Sequence, residues 1–318
     1  MYDVVALGEL LIDFTPNGKD NFGYPIMVAN PGGAPGNFLA ALNAYGAKTA
    51  FIGKVGNDAF GHLLIKTLDE SGIDTRGIVV DSSVFTTLAF VTLDTHGDRE
   101  FSFARKPGAD TQLKYEEINT SLLEKAKAFH FGTLSLTHEP AREATKKAVS
   151  FAKSLNKLIS FDPNLRKPLW KLQEDAKEQI LWGLSQSHVV KISDEEISFL
   201  WDCSPEEGGE KLLNLHGVSL AMVTMGDKGA ILKTKNAQCT LSALKVKSVD
   251  TTGAGDIFAG SALARLLELN KEPSLLTCED LEYIGRYAST AAGISTETHG
   301  GIPSVPKKEL VLQKMQNL

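Results

Sequence analysis

The strongest constraint on the fold is an alternation of short apolar runs with longer amphipathic stretches. Val4 to Leu7 reads as a buried strand. A helix from Phe38 to Tyr45 follows and is stopped by Gly46. Thr49 to Val55 is the next strand, and Asp58 to Ser71 the next helix, closed by Gly72. A βαβα series predicts a parallel sheet with helices on its faces. The series breaks at 86–93 and 99–104, two strand-like runs around Asp94 to Asp98. Phe101 alternates there with polar or small residues and with Phe103, which predicts a hairpin with one apolar face. Together with the Asn-, Gly- and Pro-rich stretch 14–30, the segment 86–106 is expected to form a small sheet acting as a lid.

From about residue 120 the alternation resumes. Strands are expected at 129–131, 158–161, 188–191, 220–223, 230–233 and 245–249. Helices are expected at 139–156, 173–186, 194–201, 257–270 and 280–295. No repeat or long linker interrupts the 318 residues, so the fold expected is α/β, one domain over 1–318 with the lid inserted. The net charge of −6 argues against a nucleic-acid surface. Three cysteines, Cys203, Cys239 and Cys278, lie far apart and suit a reducing, cytoplasmic setting without a disulfide framework or metal site. Asp3, Glu9 and Asp13 within the first apolar stretch do not fit a signal peptide.

Open parallel sheets bind ligands beyond the carboxyl ends of their strands. The polar groups found there are Asp13, then Asp162-Pro-Asn164-Leu-Arg166, then Lys191, Ser193 and Glu196, then Thr224, Gly226 and Gly229. The last is the loop Asp250-Thr-Thr-Gly-Ala-Gly-Asp256, which opens the helix with Phe258, Ala262 and Leu266 on one face. The N–H groups at a helix start form an anion site. A carboxylate beside them, Asp256, suits a general base. An N-cap in a Gly-rich turn explains the same residues by themselves. Acid, amide, guanidinium and glycine loops on one edge together suit a sugar and a polyphosphate. A Gly-x4-Gly-Lys-Ser/Thr phosphate loop and a Gly-x-Gly-x-x-Gly after the first strand are both absent.

The loop 250–256 and the stretch GGAPGNFLAALNAYGAKTAFIGKVGNDAFG (32–61) closely resemble the two signature patterns of the ribokinase-like (PfkB) sugar kinases. The resemblance covers essentially the whole chain. Within the family it is most similar to the fructokinases, through 86–110, 160–170 and 189–200. It implies a three-layer ribokinase-like fold and ATP-dependent phosphorylation of a terminal hydroxymethyl group, here that of D-fructose. It also implies Asp256 as catalytic base, with an anion hole of Gly253, Ala254, Gly255 and Asp256. Sugar contacts are implied for Asp13, Gly32, Gly33 and Asn37, and further contacts for Arg105, Asn164 and Arg166. On the nucleotide side stand Lys191, Thr224, Gly226 and Gly229, with Ser289 and Gly293 near adenine. Mg2+ would accompany ATP, reached through water from Glu196, and K+ would sit near Asp250 and Thr252. A homodimer through the lid is the expected assembly. Two departures stand out: Ser193 and Ser289 occupy positions where relatives often carry Asn. Other acceptors remain open, among them 2-keto-3-deoxygluconate, ribose and a nucleoside, as does a catalytically silent binder.

Overall fold

The computed structural model describes residues 1–93 and 99–316. Side chains on a strand alternate between its two faces, so a strand buried on both sides must be apolar throughout. In β1 (Tyr2–Leu7), Val4 and Ala6 face one helical layer, Val5 and Leu7 the other, and all four are fully buried. Around it lie β4 (Thr49–Gly56), β5 (Asp74–Asp81), β8 (Ala126–Gly132), β9 (Leu158–Asp162), β10 (Val189–Ser193), β11 (Leu220–Thr224), β12 (Ala230–Lys233) and β13 (Gln238–Leu241). The nine pair in the order β13-β12-β11-β10-β9-β8-β1-β4-β5. The seven from β5 to β11 run parallel, and β12 is antiparallel to both of its neighbours.

One layer holds α1 (Ala34–Ala44), α2 (Ala59–Glu70), α8 (Ala254–Leu269), α9 (Cys278–Ser295) and α10 (Lys308–Gln316). The other holds α3 (Thr120–Glu124), α4 (Ala141–Ser154), α5 (Gln173–Gln186), α6 (Asp194–Trp201) and α7 (Pro205–His216). Sheet and two helical layers make the three-layer α/β fold. Among the described residues no helix is long and apolar enough to cross a membrane.

The Asn-, Gly- and Pro-rich stretch 14–30 lies within a hairpin, β2 (Leu11–Lys19) against β3 (Pro25–Gly32). With β6 (Thr87–Leu93) and β7 (Arg99–Ala104) it forms a second sheet, ordered β3-β2-β6-β7. The hairpin turn expected at Asp94 to Asp98 lies outside the described residues. Phe14 stacks on Phe90, with centroids 5.1 Å apart, and meets Phe60 of α2 edge-on. Alternation puts Asp13 on the opposite face, where Thr15, Ile26 and Val28 stand further out.

Several expectations need correction. Lys245 to Val249 is not a strand. Lys245, Lys247, Ser248 and Val249 are exposed, and Val249 N–H holds Thr296 O at 2.7 Å. Strand β5 was not anticipated because it is an edge strand whose burial does not alternate cleanly. Helix α7 was hidden by Gly208 and Gly209, poor helix formers. Ile197 of α6 fills the space a Cβ on Gly208 would need, so tertiary packing overrides propensity. Strand β13 and helix α10 also went unread.

Candidate active site

Helix α8 starts at Gly253, whose φ of 77° lies in the left-handed region. A Cβ there would meet Gly301 Cα at 2.9 Å and Asn37 Nδ2 at 3.1 Å, so a larger residue would displace the loop. The turn places Asp256 in the first turn of the helix, only 9% exposed. Its two oxygens are held by two side-chain amides: Asn37 Nδ2 donates to Oδ2 at 2.9 Å, and Asn164 Nδ2 donates to Oδ1 at 3.3 Å. Asn37 comes from the start of α1. Asn164 follows β9 in a left-handed conformation, φ 46°. Burial raises the Asp256 carboxyl above the usual range, while Asn37, Lys191 and Arg166 oppose the rise. Asn37 Oδ1 is buried and meets no donor within the protein. Of the four N–H groups expected to cradle an anion, that of Ala254 already donates to Thr251 O at 3.2 Å.

Neighbouring strands bring the next groups to the same edge. Asp162 ends β9 and Lys191 lies in β10, and both are buried. Lys191 Nζ is 3.1 Å from Asp162 Oδ2. It is also 2.9 Å from the point where a Cβ on Gly255 would stand, so the ammonium lies against the helix start. Glu196 caps α6 together with Ser193. Its Oε2 accepts from Ser193 N–H at 2.8 Å, and Ser193 Oγ accepts from Glu196 N–H at 3.2 Å. Serine in place of an amide therefore serves as an N-cap. Glu196 Oε1 accepts from Leu165 N–H at 2.7 Å, which pins the loop carrying Asn164 and Arg166.

Asp13 reaches this cluster from β2 of the small sheet, not from the end of the first core strand. Its carboxylate lies over Gly32, where a Cβ would fall 2.4 Å from Oδ2. Burial raises its pKa to about 6; Arg166 lowers it, and Asp256 and Asp250 raise it, which sets all four groups around one cleft. Gly33 adjoins Gly32 at the entry to α1, and its carbonyl accepts from Asn37 N–H at 3.1 Å. Arg105 is held firmly by its neighbours. Nε and Nη2 donate to Asp110 Oδ2 at 2.9 and 2.6 Å, Nη1 to Thr137, and Nη2 to Leu134 O. Asp110 also accepts from Thr87 of β6. Arg105 is 3% exposed and ties the root of β6 and β7 to the core.

Thr224 ends β11, one strand beyond Lys191. The turn after it is closed by Met225 N–H on Gly229 O at 2.8 Å. Gly229 has φ 104°, and a Cβ would strike Leu241 O, while Gly226 is open to solvent. Ser289 and Gly293 lie one turn apart on α9. Leu244 packs where a Cβ on Gly293 would stand, so that glycine admits the 242–249 stretch against the helix. Asp250 accepts from Thr252 N–H at 2.9 Å and Gly300 N–H at 3.1 Å, and its own N–H holds Thr296 O. Those hard oxygen donors and nearby carbonyls suit an alkali cation. Among the described residues no group of three or more His, Cys, Asp or Glu forms a metal cage. Mg2+ commonly binds through one or two carboxylates, waters and substrate phosphates, so Glu196 and Asp162 beside the helix start fit it without a cage.

Glu9 was overlooked by the sequence reading, as was the Asp162 pairing. Glu9 is 3% exposed and accepts from Ala34 N–H at 2.8 Å, clamping the start of α1. A carboxylate inside an apolar run was the available signal.

A family model described as pfkB family carbohydrate kinase matches residues 1–308. The chain belongs to the pfkB family of carbohydrate kinases. A relative named probable fructokinase-4, from Arabidopsis thaliana, is 40% identical over 312 residues, covering 97% of this chain and 95% of that one. Among solved structures, fructokinase with bound ATP from Xylella fastidiosa superposes with a TM-score of 0.91. It is 28% identical and covers 100% of this chain and 99% of its own. A fructokinase double mutant from Vibrio cholerae, bound to fructose, ADP and a potassium ion, gives 0.88 at 30% identity and 98% of each chain. The match spans both the helix start with Asp256 and the small sheet with Asp13.

Proposed function

We propose that this chain transfers the γ-phosphoryl group of ATP to the terminal hydroxymethyl of D-fructose, giving fructose 6-phosphate and ADP. The observation that carries the reading is Asp256: a buried carboxylate at a helix start, oriented by Asn37 and Asn164. The choice of fructose is supported by the fructokinases among the relatives. Asp256 aligns the acceptor hydroxyl and takes its proton as the new P–O bond forms. Asn37 Oδ1, buried without a donor, suits a second sugar hydroxyl, and Asp13 and Gly32 line the other side. Gly253, Gly255 and Asp256 present the N–H groups that take up charge on the transferred group. Lys191 adds a cation beside them. Mg2+, near Glu196, supplies charge neutralisation on the phosphates when bound, and K+ near Asp250 and Thr252 supports the loop that shapes the anion hole.

Thr224, Gly226, Gly229, Ser289 and Gly293 would border the nucleotide. The small sheet would act as a lid that excludes water, a competing acceptor. Exposed Ile26 and Val28 on its Asp13 face suit a homodimer seated lid to lid, which sedimentation would test. Three free cysteines suit a cytosolic protein. A 2-keto-3-deoxy acid would need cations at its carboxylate, and Arg105 is already engaged by Asp110. The test is ADP release with Mg-ATP and K+ against fructose, glucose, ribose, adenosine and 2-keto-3-deoxygluconate. Preference for fructose is the expected result, and preference for any other acceptor overturns the substrate assignment.

A further inference from the structure

Helix α1 begins without a side-chain cap of its own. Gly33, the residue before it, has no side chain to offer, and Pro35 has no N–H. The missing acceptor comes from another part of the chain: Glu9, between β1 and β2, takes the Ala34 N–H on Oε1 at 2.8 Å. Two glycines let the segments come this close. A Cβ on Gly8 would fall 2.6 Å from Pro35 Cγ, and one on Gly33 would fall 2.5 Å from Glu9 O. Ala34 and Asn37 are three residues apart and so share a face of the helix. The clamp therefore lies one turn below the amide that holds Asp256. Burial makes Glu9 a poor stabiliser of the fold. It is 3% exposed, and desolvation pushes its carboxyl up to about 7, with Asp110 adding to the rise and Arg105 opposing it. An apolar side chain of similar size would cost less to bury. What the acid supplies is a fixed start for α1. The rest of the helix is held by α8, where Gly260 lies against Phe38 O.

We infer that Glu9 is a positioning residue for phosphoryl transfer: it fixes the first turn of α1 so that Asn37 meets Asp256. The inference rests on the reading of Asp256 as the base. Glu9 acts through Asn37 and not on either substrate. The path runs from Glu9 Oε1 to Ala34 N–H, along one helical turn, and from Asn37 Nδ2 to Asp256 Oδ2.

The experiment compares the full native chain with Glu9→Met, which cannot accept from Ala34 N–H, and with Glu9→Gln, which can. Asn37→Ala and the double variant Glu9→Met/Asn37→Ala complete a cycle. Two readouts are taken. The first is kcat/KM at a pH where Asn37→Ala is impaired, run on whichever acceptor the native protein turns over best. Glu9→Met should lose about tenfold, the equivalent of one hydrogen bond, with KM for ATP unchanged, and Glu9→Gln should recover most of the loss. The double variant should be no slower than Asn37→Ala alone, because both changes act through one contact. A merely structural role would give losses that multiply, and that result overturns the inference, as does a native rate in Glu9→Met. The second readout needs no turnover. In the crystal structure of Glu9→Met, Asn37 should lie beyond hydrogen-bond distance of Asp256, and in that of Glu9→Gln it should stay in place. An unmoved Asn37 in Glu9→Met overturns the inference. Should Glu9→Met fail to fold, Glu9→Ala takes its place in both measurements, and failure of both to fold overturns the positioning role in favour of a structural one. If the native protein turns over none of the acceptors, the proposed function fails, and the crystal structures still decide whether Glu9 positions Asn37.

Discussion

Replacing Asn37 by alanine separates positioning of the base from recognition of the sugar. The amide donates to Asp256 Oδ2 at 2.9 Å, and a second side-chain amide on that carboxylate, Asn164, is longer at 3.3 Å. A hydrogen bond to a buried charge contributes about 1.5–3 kcal/mol. Losing it from the ionised form disfavours the state that can accept a proton. The sign follows directly: burial already raises the Asp256 pKa and Asn37 opposes that rise, so Asn37→Ala raises it further. A base must be ionised to work, so the acid limb of kcat/KM moves to higher pH. At a pH on that limb the rate should fall about tenfold to a hundredfold, the range equivalent to that energy. The assay is coupled ADP release across pH 5 to 9 at several fructose concentrations, with melting temperature as a control for the space left beside Gly301. An acid limb that does not move, with a rise in KM for fructose alone, would refute the positioning argument.

Two further outcomes follow from other parts of the structure. Arg105→Met strands Asp110 as a buried, unpaired charge, and should destabilise the fold by about 3–5 kcal/mol in a denaturant titration while leaving KM for fructose near its native value; a raised KM with native stability would restore the sugar contact. Glu9, buried and with a pKa raised to about 7, binds its proton more readily in the folded chain than in the unfolded one. Its contribution is therefore fully present below about 4.5 and is lost as pH rises through about 7, on the order of 3 kcal/mol in all. Glu9→Gln should be more stable than the native protein at pH 8 and alike at pH 4.5, and equal differences at both pH values would contradict this.

The reach of the sequence depended on how local each signal was. Loop 250–256 was legible because glycine spacing, a terminal aspartate and the following apolar face all lie within about twenty residues. Its geometry could not be read, because Asn37 reaches Asp256 from 219 residues away and Asn164 from 92. Asp162 and Lys191 meet only because β9 and β10 are neighbours in the sheet. Arg105 shows a different gap: its pairing with Asp110, only five residues on, carries no sequence signal of its own. The stretch 245–249 alternates like a strand, yet the sheet ends at β13 and offers it no partner. Helix α7 was hidden by its glycines, of which Gly208 is required by the close packing of Ile197.

The central claim is that Asp256 is the base for transfer from ATP to fructose. Its most direct test compares Asp256→Asn with the native protein in two measurements on the same preparation: fructose and nucleotide binding by calorimetry, and single-turnover formation of fructose 6-phosphate. Asparagine keeps the shape of the side chain but cannot take the proton. The account predicts binding close to native and a rate lower by on the order of a hundredfold or more. Turnover comparable to the native protein would contradict it.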